Sequence, residues 1–82
     1  MNAIKLLKMK FVEKQNMNPE KFSYANVAER LTMKSDDLIA ILNNDTQAKT
    51  LDLIRICEAI ELNIHEVREL TQLHCNDLAL DS

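Results

Sequence analysis

Apolar residues recur at helical spacing in five stretches of the chain, each bounded by residues that start or stop helices. Ile4, Leu7 and Phe11 share one stripe of a helix predicted from about Asn2 to Gln15. Asn16, Asn18 and Pro19 mark its end, because asparagine tolerates the left-handed conformation and the residue before a proline is pushed away from helical angles. Ser23 is placed to cap a second helix, Tyr24 to Leu31, with Val27, Ala28 and Leu31 facing inward. Thr32 and Met33 leave only a very short connection. Ser35, followed by Asp36 and Asp37, predicts the start of a third helix running to about Asn43: a capping hydroxyl, then two acids against the positive end of the helix dipole. Its apolar face is Leu38, Ile41 and Leu42, and Asn44 is available as a left-handed exit. After a loop, Asp45 to Lys49, Thr50 is the expected cap of a fourth helix carrying Leu53, Ile56, Cys57 and Ile60 on one face. Asn63 and Glu66 have the spacing of a capping box for a fifth helix, with Ile64, Val67 and Leu70 inward.

Composition sharpens this pattern. The 82 residues include no glycine and one proline, with 46% hydrophobic and 4% aromatic side chains, which favours an all-α fold over a sheet with tight hairpins. The absence of glycine also excludes the phosphate-cradling loops of nucleotide-dependent enzymes. The length suits one domain, read as residues 1–74 followed by a short C-terminal tail, 75–82. Two cysteines are too few for a disulfide framework, and Cys57 on an apolar face reads as a reduced interior thiol, which points to the cytoplasm. No run approaches the roughly 18 apolar residues that span a bilayer, so no membrane association is expected. Cys57, His65, His74 and Cys75 match no zinc-site spacing, and no catalytic constellation can be placed on one face; neither a cofactor nor enzymatic activity is expected.

The net charge of −3 conceals an asymmetry: residues 1–34 carry seven basic and three acidic side chains, whereas residues 35–82 carry three and ten. The two halves therefore offer partners opposite fields.

Two short helices joined by almost nothing, followed by a loop and two apolar helices, resemble the Cro/CI-type (XRE family) helix-turn-helix domain over roughly residues 4–70. The stretch Phe22-Ser23-Tyr24-Ala25-Asn26-Val27-Ala28-Glu29-Arg30-Leu31 is similar to the first helix of that motif, in which the alanine permits a close helix crossing. Leu53-Ile54-Arg55-Ile56-Cys57-Glu58-Ala59-Ile60, running into Leu62-Asn63-Ile64-His65-Glu66-Val67, is similar to the closing pair. Thr32 stands where the family usually has glycine, and Leu42-Asn43-Asn44 where it usually has Glu-Asn-Gly. The resemblance implies a compact five-helix, lambda-repressor-like domain with its helix-turn-helix at helices 2 and 3.

It also implies a sequence-specific transcriptional regulator of bacterial or phage origin, binding double-stranded DNA as a homodimer through helix 3. Ser35, Asp36 and Ala40 take the base-contacting positions, and Asn43 and Asn44 follow as helix exits whose amides are of the kind that reads adenine. Lys34 and Lys49 occupy phosphate-contacting neighbourhoods, with Lys21 as a further flanking cation and the Tyr24 hydroxyl as a donor to phosphate. The apolar excess at Leu70, Leu73, Leu78 and Leu80 is what a dimer would cover. Asp36 and Asp37 support an alternative, a helix-turn-helix scaffold that has lost base readout and engages a protein partner through its acidic helix 3 surface, as an antirepressor or adaptor does.

Overall fold

The computed structural model describes residues 2–44 and 48–81, with 78–81 placed by their helix alone. Among them are five helices: α1 (Ala3–Met17), α2 (Tyr24–Arg30), α3 (Ser35–Leu42), α4 (Thr50–Ala59) and α5 (Ile64–Asp81). The fold is all-α, and no helix among the described residues is long and apolar enough to cross a membrane.

The stripes predicted for the first four helices converge in one core. Leu7 and Phe11 from α1, Val27 from α2, Leu38 from α3, and Leu53, Ile56 and Cys57 from α4 are all fully enclosed, together with Ile60 and Leu70. Phe11 stacks on Tyr24 with ring centroids 5.3 Å apart, which fixes α1 against the start of α2. Helices α1 and α5 run antiparallel: the Ala3 amide donates to Asp77 Oδ2 at 2.8 Å at one end, and Lys10 Nζ meets Glu66 Oε2 at 2.9 Å nearer the other. The bond from Lys10 holds the Glu66 carboxyl below its usual range, aided by the Asn63 amide. This link therefore stabilises the fold above the carboxylate range and is lost as acid neutralises Glu66.

Helix starts follow the local chemistry in part. Ser23 Oγ accepts from the Asn26 amide at 3.2 Å, and Asn63 and Glu66 form the expected reciprocal box at 2.9 and 3.2 Å. Ser35 and Thr50 do not cap. Each is the first helical residue, because Lys34 and Lys49, with extended backbones, already occupy the cap positions, and neither provides a side-chain cap. The end of α1 also differs from expectation. Asn16 lies inside the helix, and Asn18 closes it at φ −149° rather than in the left-handed region, its side chain accepting from the Lys21 amide.

Without glycine, three helices end on other residues in the left-handed region: Thr32 (φ 56°), Asn44 (φ 60°) and Glu61 (φ 60°). After α2 the Thr32 amide donates to the Glu29 carbonyl and the Met33 amide to the Ala28 carbonyl; after α4 Glu61 and Leu62 repeat the pattern onto Glu58 and Cys57. Each pair of hydrogen bonds satisfies carbonyls that a helix end would otherwise leave free. Asn44 was readable as such an exit; Glu61 was not.

Two expectations for the C-terminal region require correction. Ile64 is 60% exposed rather than inward, whereas Leu70 is enclosed and Val67 packs partly against the core as expected, and His74 is buried as well. Residues 75–81, read as tail, continue α5, because His74 packs into the fold and Asp77 receives the Ala3 amide. Leu73 packs partly against the core, whereas the side chains of Leu78 and Leu80 lie outside the described residues, as do residues 45–47 of the expected loop.

Burial pushes the Cys57 thiol up to about 11, so it stays protonated at neutral pH, whereas Cys75 is exposed. An aromatic disulfide reagent is expected to label Cys75 at once and Cys57 only on unfolding. Equal labelling rates in the native protein would contradict this core.

Candidate nucleic-acid interface

The second and third helices meet at a corner built by the chain between them. Arg30 ends α2, Leu31 caps it, Thr32 reverses the chain, and Lys34 opens α3. Ala28 is 1% exposed at the approach of the two helices, where a side chain without γ-atoms is needed. The corner leaves an open groove of about 560 Å³, lined by Ala25, Ala28, Glu29, Met33, Lys34, Ser35 and Asp36.

Lys34, Ser35 and Asp36 are thus brought together, with Lys34 and Asp36 exposed and Ser35 half-buried. Asp37 is exposed in the same first turn, and Ala40 is half-buried one turn further on. The other residues are more dispersed. Tyr24 is half-buried, with its ring committed to Phe11. The Oδ1 atom of Asn43 accepts from Lys8 Nζ at 2.6 Å, which ties this side chain to α1. Asn44 is exposed in its left-handed exit. Lys49 is exposed at the start of α4, where its amide donates to Asp52 Oδ2 at 3.4 Å. Lys21 does not join Lys34; it pairs with Glu61 at 2.6 Å.

Glu29 belongs to the groove and was absent from the sequence reading. Its spacing from Ala25 could have revealed it, because residues four apart share one face and both fall on the outward side of α2, away from Val27 and Leu31. The lining of the groove carries the carboxylates of Glu29 and Asp36 and the cation of Lys34, and Asp37 adds a third carboxylate in the same first turn of α3. The two aspartates favour the start of α3 by roughly 0.3–1 kcal/mol each. A carboxylate here can accept a hydrogen bond from the amino group of cytosine, or from a lysine or arginine of a protein.

The turn is strained because threonine is β-branched and sits at positive φ, where a Cβ costs about 1–2 kcal/mol. Thr32→Gly is therefore expected to stabilise the protein by about 0.5–1 kcal/mol once the greater unfolded-state freedom of glycine is subtracted. The melting temperature should rise by a few degrees; a fall would mean that residue 32 is not left-handed in solution.

No family model matches this chain, and no match emerges among curated proteins or among solved structures.

Proposed function

We propose that the chain is a Cro/CI-type helix-turn-helix regulator of bacterial or phage origin, meeting duplex DNA through α3 and doing so as a homodimer on paired half-sites. The observation that carries this reading is the α2–α3 corner: two short helices, a left-handed turn at Thr32, a buried alanine at their approach, and a solvent-facing start to α3. In this reading Lys34 and Lys49 hold phosphates, which supply affinity without sequence information, while Ser35, Asp36 and Ala40 approach base edges.

The test is an anisotropy titration against duplexes selected from a random pool, at low and rising salt. Saturable, salt-sensitive binding is expected, and Lys34→Gln should weaken it across all sequences and reduce the salt slope by about one. Binding that shows no salt dependence, or none at low salt, would overturn the proposal.

The three carboxylates of the corner favour a second reading, in which the same surface engages a basic protein segment. Asp36→Asn with Asp37→Asn separates the two: stronger duplex binding follows from the first reading, and loss of a protein partner from the second.

A further inference from the structure

A cluster of three cations lies away from the α2–α3 groove, around Phe22. Lys14 Nζ, Lys21 Nζ and the Arg30 guanidinium carbon stand 5.9, 5.4 and 5.7 Å from the centroid of this one ring. They come from the end of α1, the turn before α2 and the end of α2, so only the fold assembles them. Phe22 itself is 6% exposed and acts as the floor of the cluster, its ring face attracting each cation. Arg30 is fixed by donating to the carbonyls of Ala59 and Lys21 at 3.1 and 2.9 Å. On α2 it projects about 140° round from Ala25, which lines the groove.

The cluster already holds a carboxylate. Glu61, placed by its left-handed backbone, meets Lys21 Nζ, and its main-chain oxygen lies 3.4 Å from Lys14 Nζ. Lys21 first, then Arg30 and Lys14, keep the Glu61 carboxyl below its usual range. Among the described residues Glu61 is the one carboxylate bonded to these three cations, so the contacts around the ring carry more positive than negative groups.

We propose that this cation-capped Phe22 surface docks an acidic, apolar-bearing segment of a protein partner, whose carboxylates join or displace Glu61. One feature favours a peptide over a duplex. Exposed Met17, one turn beyond Lys14, and Ile64, three residues beyond Glu61, offer apolar contacts that a peptide's leucines can use and phosphates cannot. This surface is separate from the DNA reading, so each can fail alone.

The experiment titrates the full chain into a short fluorescein-labelled peptide of glutamate, aspartate and leucine, and into the same peptide with glutamine and asparagine in place of the acids. Saturable binding of the acidic peptide alone is expected. Lys14→Gln with Lys21→Gln should weaken it about tenfold, since exposed pairs contribute up to about 1 kcal/mol each. Glu61→Gln should strengthen it severalfold by removing the resident competitor, a gain that no loss of folding can imitate. No saturable binding, equal binding of the neutral peptide, or an unchanged affinity in both variants overturns the proposal. A duplex whose binding falls as far as the peptide's in the lysine variant assigns the surface to nucleic acid and overturns it equally.

Discussion

Phe11→Ala is expected to remove about 3–5 kcal/mol of stability, the cost of deleting a buried aromatic ring and leaving a cavity. For a chain of this size the total is on the order of 4–12 kcal/mol, so the variant should be close to unfolded at physiological temperature. Phe11 is fully enclosed, and its ring stacks on Tyr24, so the loss removes the join between α1 and α2 as well as the buried area. Urea unfolding followed by circular dichroism gives the number. Phe11→Leu keeps most of the volume and should lose much less. A cost below about 1 kcal/mol for Phe11→Ala would show that the α1 stripe does not form the centre of the core.

The second large effect falls on the corner. Ala28→Leu adds bulk where the residue is 1% exposed and its carbonyl accepts the Met33 amide across the turn. Overpacking of this kind costs about 1–3 kcal/mol and is relieved by moving the neighbouring element. Here that element is α3, so the variant should lose both stability and duplex affinity. Ala28→Ser, nearly the same size, should lose little of either. Wild-type stability in Ala28→Leu would mean that the two helices are farther apart than the groove geometry shows.

The inward stripes of α1 to α4 were legible because each rests on side chains three and four residues apart, a purely local signal. The caps at Ser23 and Asn63 were legible for the same reason. Ser35 and Thr50 misled by one residue, because a hydroxyl can stand at the cap or in the first turn, and only the extended backbones of Lys34 and Lys49 decide which. The length of α5 was hidden because beyond Leu73 its anchors are His74 and Asp77, whose burial and bond to Ala3 depend on a helix far away in sequence. His74 Nε2 is buried without a partner among the described residues, a cost no sequence pattern announces.

The candidate interface was legible in its helical parts and not in its charges. Lys34, Ser35 and Asp36 come together as adjacent residues must, whereas Lys21 and Asn43 are drawn off by Glu61 and Lys8, partners distant in sequence. Glu29 makes the corner more acidic than Asp36 and Asp37 alone. In the proposed regulator, affinity for DNA would rest on few cations, and a dimer presenting two such corners would compensate.

The most direct measurement is an amide chemical-shift map of the full chain on adding a selected duplex at low salt. The account predicts that the largest shifts fall on residues 33–40 and on Lys49, and that they fade as salt is raised. Shifts concentrated on Lys14, Lys21 and Arg30, or none at all, would contradict it.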